Sequence, residues 1–204
     1  MRTLPETKRV RFAILAEEAR ACNICPRMNA RTAVLSELNG SLNPRVLFIA
    51  EAPGRQGADR TRIPFSGDAS GRTFDKLLEV AGLTREDIFI TNAVLCSPRS
   101  DSGANRAPTQ AEVKNCIPFL ARTILLLDAP IVVAIGGTAL AALERIHPHG
   151  LSLGRDVGRH EEWDGRKLIP LYHPSPQVLI SRRSLAQQME DWGQLAALLA
   201  IQGH

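Results

Sequence analysis

Along this 204-residue chain, short apolar runs rich in β-branched residues alternate with longer stretches whose apolar positions recur every three or four residues. The runs are "RVLFIAE" (45–51), "DIFITNAV" (87–94), "PIVVAIG" (130–136) and "KLIPLYH" (167–173). Each is nearly continuous in its hydrophobicity, as parallel strands covered on both faces are. The intervening "SGRTFDKLLEVAGL", "TQAEVKNCIPFLARTILLLD" and "GTALAALERI" have helical spacing; the first ends in Ala-Gly and the second follows Pro108-Thr109, a stop and a cap respectively. A helix before the first cysteine and another at "SLAQQMEDWGQLAALLAI" would cover the faces. The alternation predicts an α/β fold, a single-domain three-layer α/β/α arrangement spanning 1–204 around a central, mainly parallel four-stranded sheet. "HPHGLSLGRDVGRHEEWDGR" (147–166) reads as a loop or hairpin before the last strand and receives no functional role.

A hydrophobic content of 44% and a charged fraction of 23% are ordinary for a globular protein and exclude disorder. The first residues, "MRTLPETKRVRFAILAEEAR", carry charges throughout and fit neither a signal peptide nor a membrane span, so a cytoplasmic protein with no membrane partner is expected. A net charge of +4 favours polyanionic partners only weakly. The chain has four lysines against twenty-one arginines. That bias suits bidentate phosphate contacts, but codon usage in a G+C-rich genome accounts for it more simply.

In open parallel sheets ligands bind beyond the carboxyl ends of the strands, and there the sequence becomes unusual. After the first run comes "EAPGRQGADRTRIPFSGDASG" (51–71), with four glycines and two prolines, too long for a plain connection. It lacks the G-x-G-x-x-G spacing of a dinucleotide site and the Gly-Lys-Ser/Thr of a phosphate loop. It offers two carboxylates, Glu51 and Asp68, and one ring, Phe65. The second run ends near Asn92 and the last at His173, followed by Pro174, Ser175 and Pro176. Singly, an asparagine is usually a satisfied polar residue and a histidine usually structural. Together at one sheet edge they provide what breaking a base–sugar bond in an extruded nucleotide requires. A ring stacks on the base, an amide reads its edge, an imidazole stabilises charge on a carbonyl oxygen, and a carboxylate handles water.

The four cysteines, Cys22, Cys25, Cys96 and Cys116, are spaced C-x2-C, x70, C-x19-C. In a cytoplasmic chain disulfides are not expected, and the tight pair lacks a thioredoxin-like setting. Four thiolates can hold tetrahedral zinc or an iron–sulfur cluster, and the spacing does not separate the two.

In order, C-x2-C, "EAPG", "PFSGDASG", "ITNAVLCSPR", "NRAPTQAEVKNC" and "HPSP" resemble the iron–sulfur branches of the uracil-DNA glycosylase superfamily, families 4 and 5, over roughly residues 22–184. The resemblance implies a [4Fe-4S] cluster on Cys22, Cys25, Cys96 and Cys116, tying the N-terminal segment 1–30 to the core. By the same resemblance Phe65 stacks on a flipped uracil, Asn92 reads its polar edge, His173 donates to its O2, and Ala52, Pro53 and Gly54 line the pocket and approach DNA. Pro174, Ser175, Arg182 and Arg183 belong to a segment that presses on DNA. Glu51 matches the water-handling acid of family 4; the following loop, with Gly57, Arg60-Thr61 and Asp68, resembles family 5, so Asp68 is the second candidate acid.

The implied activity is a monofunctional glycosylase, expected as a monomer, that acts on uracil-containing DNA, double- or single-stranded, and releases free uracil. Residues 52–72 lack the histidine of a related branch that traps its abasic product, and the pocket motifs lack a Schiff-base lysine. Two alternatives remain on the same scaffold: a glycosylase for deaminated purines such as hypoxanthine or xanthine, and a non-catalytic binder of abasic or damaged DNA. A zinc-ribbon binder fits the x70 separation poorly.

Overall fold

The computed structural model describes residues 7–28 and 31–202. Five strands, β1 (Val46–Ala50), β2 (Ile88–Asn92), β3 (Ile131–Ile135), β4 (Glu161–Trp163) and β5 (Arg166–Leu171), form one sheet in the order β2-β1-β3-β5-β4. β1 pairs parallel with β2 and β3, and β3 pairs parallel with β5. The helices are α1 (Lys8–Ala21), α2 (Ala58–Thr61), α3 (Ala69–Val80), α4 (Gln110–Leu127), α5 (Gly137–Ile146), α6 (Leu153–Asp156), α7 (Pro176–Ser181) and α8 (Leu185–Gln202).

Successive strand residues feed opposite cores, as the two-residue period of a strand requires. Leu47, Ile49, Phe89, Val132 and Ala134 pack with residues of α1, α4 and α5. Val46, Phe48, Ile90, Val133 and Ile169 pack with residues of α3 and α8. On this second face Phe48 stacks on Trp192, with centroids 5.4 Å apart, and meets Phe74 edge-on at 5.3 Å. The expected three-layer α/β/α architecture is present, and both faces of the sheet are covered.

The sheet has five strands where the apolar runs predict four. The additional β4 lies inside the 147–166 segment and runs antiparallel to β5. Its residues Glu161 and Glu162 are exposed and only Trp163 is buried, so it contributes no apolar run. What fixes it is the Asp164-Gly165 turn, where both residues have positive φ (50° and 75°), the twist that a two-residue hairpin needs. Trp163 also donates its indole N–H to the carbonyl of His147 at 2.7 Å. Charged side chains on this edge discourage pairing with another sheet. Of the N-terminal segment 1–30, residues 1–6 and 29–30 lie outside the described residues.

α4 begins as the Pro-Thr pair implies. Thr109 caps it, accepting from Glu112 N–H at 3.2 Å, while the Glu112 carboxylate accepts from Thr109 N–H at 2.7 Å. Arg106 adds two further hydrogen bonds to that carboxylate, at 2.7 and 2.5 Å. This fork holds the Glu112 carboxyl well below the usual range, at about 2, against the opposing effect of burial. Removing one partner of a buried pair strands the other's charge. Glu112→Gln at neutral pH should therefore destabilise the fold by about 3 kcal/mol, lowering Tm by about 6 °C or more. An unchanged melting curve would show the pair to be incidental.

Candidate active site

Because β1, β2, β3 and β5 are parallel, their carboxyl ends share one edge, and a cleft of ≈ 750 Å³ opens there. Glu51, Ala52, Pro53, Gly54, Phe65, Asp68, Asn92, His173, Ser175 and Arg182, all singled out in the sequence, line it. The end of β3, which the sequence reading passed over, contributes Ile135, Gly136 and Gly137, and β5 adds Tyr172.

Glu51 directly follows β1, the strand between β2 and β3. Its backbone carbonyl accepts from Val94 N–H at 3.0 Å on the β2 side. Its carboxylate Oε2 accepts from the Thr138 hydroxyl on the β3 side. Asp68 caps α3, with Oδ1 accepting from Gly71 N–H at 2.9 Å. The other oxygen, Oδ2, lies where Gly57 approaches so closely that a Cβ there would sit 2.4 Å away. Each acid thus has one oxygen engaged by the protein and one without a hydrogen bond among the described residues.

Phe65 is held in an unusual backbone conformation, with φ of 49°, which a bulky side chain adopts only under constraint. Arg85 supplies that constraint by donating to the carbonyls of Pro64 at 2.8 Å and Phe65 at 2.7 Å. Gly71 supplies the room, since a Cβ there would lie 2.4 Å from the Phe65 oxygen. The Phe65 ring stacks parallel on Phe74, with centroids 4.4 Å apart and planes 2° from parallel. The His173 ring lies 5.4 Å from the Phe65 ring.

His173 as a residue is half-open to the cleft, but its ring is packed deeply enough that burial pushes its pKa down to about 4, with nearby Asp68 pulling the other way. The imidazole is therefore neutral near pH 7 and has one N–H to donate. Its backbone carbonyl accepts from Gln188 on α8 at 3.3 Å. Asn92 is 4% exposed, and its Nδ2 is buried without a hydrogen-bond partner. Of the seven buried side-chain polar atoms without a partner among the described residues, it is the one whose residue lines the cleft, where a bound molecule could satisfy it.

The "HPSP" sequence initiates a helix. Ser175 caps α7, accepting from Val178 N–H at 3.4 Å, and Pro176 occupies the first turn, where its missing N–H is harmless. Pro174 is buried and does not line the cleft. Arg182 is exposed at the rim, whereas the Arg183 guanidinium is committed to Asp191 of α8 at 2.6 and 2.9 Å.

The cysteines lie outside the cleft lining, with Cys25, Cys96 and Cys116 packed on the core that α1 and α4 cover. Cys22 ends α1, Cys25 precedes a short turn of helix, Cys96 follows β2, and Cys116 lies in α4. Cys22, Cys96 and Cys116 are free thiols, and the Cys25 Sγ accepts from Asn115 Nδ2 at 3.4 Å. Cys96 is pushed up to about 12, first by burial and then by Cys116, Cys22 and Cys25, with Arg62 opposing. Cys116 is pushed up to about 11 by burial, with Cys25 and Cys22 adding. The four thiols are therefore near enough to repel one another as anions. Among the described residues, however, no three or more His, Cys, Asp or Glu side chains are drawn together as ligands of a single metal ion.

The sequence signals for the remaining contributors were weak. Thr138 sits in "GGTAL", which reads as an ordinary helix start, and Arg85 and Gln188 lie far along the chain from the groups they hold.

A family model described as the uracil DNA glycosylase superfamily matches residues 39–195. The type-4 uracil-DNA glycosylase of Thermotoga maritima is 34% identical over 180 residues, covering 87% of this chain and 88% of the relative. The type-4 enzyme of Saccharolobus solfataricus is 34% identical over 169 residues, 79% and 74% of the two chains. A type-5 uracil-DNA glycosylase of Mycobacterium leprae is 31% identical over 171 residues, 74% and 72%. With the strand-end cleft, the order of its motifs and these relatives in agreement, the chain belongs to the uracil DNA glycosylase superfamily.

Proposed function

We propose that this protein is a monofunctional uracil-DNA glycosylase, acting as a single domain and a monomer in the cytoplasm, that flips uracil out of DNA and hydrolyses its bond to the sugar. The observation that carries the reading is the partnerless buried Nδ2 of Asn92 in a cleft shared with Phe65 and His173. An amide donor there matches a carbonyl on uracil's pairing edge, where cytosine presents an amino group that would repel it. Phe65 supplies the face on which the planar base stacks.

As the C1′–N1 bond breaks, its electron pair passes to the base and accumulates on N1 and O2. The neutral His173 N–H donates to that oxygen, and a fixed donor in a water-poor site is effective because it needs no reorganisation. Water then adds to the electron-poor C1′ and loses a proton to Glu51, with Asp68 as the second candidate for that task. The products are an abasic site and uracil. Among the described residues no lysine lines the cleft, and strand cleavage through a Schiff base is not predicted. Extrusion is cheapest where pairing is weakest, so uracil opposite G should react at least as readily as uracil opposite A. Arg182, with Pro53, Gly54 and Ser175, would face the DNA backbone, while Pro174, being buried, would only stiffen the turn. Arg183 would act there while held by Asp191.

We also propose a [4Fe-4S] cluster on Cys22, Cys25, Cys96 and Cys116. Support comes from the gathering of four cysteines close enough for Cys22, Cys25 and Cys116 to add to the rise at Cys96, four sulfur donors of the kind an iron–sulfur cluster takes. A bound cluster would supply the positive charge that lets these thiolates share one buried space. Protein purified anaerobically should carry about four irons and four sulfides per chain, and Cys96→Ala should lose them; iron-free, folded protein would remove this part of the reading.

The central test is cleavage of an oligonucleotide carrying one uracil opposite G, opposite A, or in a single strand, with hot alkali to reveal abasic sites. Alkali-dependent cutting is expected on all three; its absence with an intact cluster would favour another damaged base or an abasic-site binder. Glu51→Gln should slow single-turnover hydrolysis by about 100-fold or more. Asp68→Asn keeps a helix-capping residue and should have the smaller effect; the reverse order would transfer the water-handling role to Asp68. Since the His173 ring stays neutral until pH approaches its lowered pKa of about 4, nitrogen-15 spectra of its imidazole should show no protonation between pH 8 and 5.5. Protonation at an ordinary value near 6.5 would refute a buried neutral donor.

A further inference from the structure

We infer that Thr138 is a positioning residue for the Glu51 carboxylate, fixing which of its oxygens faces the attacking water; the inference rests on reading Glu51 as the group that directs that water. Glu51 is gripped from both strands beside β1. Val94 N–H fixes its backbone carbonyl at 3.0 Å, and the Thr138 hydroxyl donates to Oε2. With the main chain and one oxygen held, Oε1 is the oxygen without a hydrogen bond among the described residues, and the carboxylate can rotate little.

The local fold explains why a threonine can do this. Gly136, with φ of 91°, turns the chain sharply from β3 into α5, and its N–H donates to Leu171 O at 2.8 Å. Gly137 then follows with no side chain, and both glycines line the cleft. Thr138 is therefore the first residue after β3 with a side chain that can reach the strand-end carboxylate. It lies in the first turn of α5, where the helix field favours a nearby negative charge. Its β-branched side chain has few rotamers, so its hydroxyl is directed in advance.

The roles of the two acids also separate on this basis. The engaged oxygen of Asp68 belongs to a helix cap, whereas that of Glu51 is held by a side-chain hydroxyl that serves no cap. One arrangement terminates a helix; the other orients a reactive group.

The test is single-turnover kinetics on uracil-containing oligonucleotide with the cluster-loaded protein. Thr138→Val should lower the single-turnover rate constant about tenfold with the half-saturating enzyme concentration unchanged, and Thr138→Ser should recover most of the loss. In a Glu51→Ala background, Thr138→Val should have no further effect, because a residue acting through Glu51 has nothing left to position. Full activity in Thr138→Val, a change in the half-saturating concentration alone, or an equal loss with and without Glu51 would overturn the inference. A thermal-stability cycle of the same four proteins reads the contact without substrate: coupling between the two positions is expected, and additivity overturns it. Absence of uracil release by the unaltered protein would instead overturn the glycosylase reading, and with it the catalytic consequence of the contact.

Discussion

The arrangement of this site depends on the parallel alignment of β1, β2, β3 and β5. Parallel strands end on the same side, and the register that sets Ala50 against Asn92 brings the end of β1 level with the end of β2. Glu51, Asn92, the Gly136-Gly137 turn and His173 are distant in sequence and become neighbours for this reason alone. Helical crossovers bury both faces of the sheet, leaving the edge at the strand ends as the place where polar groups can face a ligand. The same constraint keeps the cysteines apart from the chemistry, since Cys96 continues past β2 toward α1 and α4 on one face.

A second principle governs the 51–71 loop, which is fixed by tension rather than by regular structure. A phenylalanine with positive φ is unfavourable by about 1–3 kcal/mol, and it persists because Arg85 grips the carbonyls on both sides of the bend while Gly71 clears the space beneath it. Arg85 is itself aligned by Asp75 through bonds of 2.9 and 2.7 Å, and its guanidinium lies 5.3 Å from the centre of the Phe74 ring. Phe65, Phe74 and Arg85 thus form a continuous support from the cleft to the surface. The Phe65 ring at the cleft is backed by core packing, although it belongs to a loop.

Much of this was legible in the sequence because hydrophobic runs report burial directly. "VLFIA" and "IVVAI" have side chains on both faces in apolar surroundings, so no reading other than a covered strand suits them. β4 escaped that logic: an edge strand with two exposed glutamates is defined by its Asp-Gly turn and one buried tryptophan. At the cleft, Glu51, Asn92 and His173 stood out as polar residues at the ends of apolar runs. Thr138, Arg85 and Gln188 did not, because a hydroxyl near a helix start, a loop arginine and a helix glutamine are ordinary until their partners are known. Arg183 shows the converse. In sequence it is one of two equivalent basic residues, and only the fold distinguishes it, through Asp191 one helix later.

α8 supports the segment that carries His173 from behind. Gln188 binds the carbonyls of His173 and Arg183, and Asp191 holds the Arg183 side chain, so both ends of residues 173–183 are fastened to one helix. That helix is made after every other element described in the protein. Its residues cover one face of the sheet as well as backing the 173–183 segment, with Trp192 stacked on Phe48. Because α8 also brings Trp192, Leu195 and Leu198 into the second core, the placement of His173 and the closure of that core rest on the same helix, and loss of one entails loss of the other.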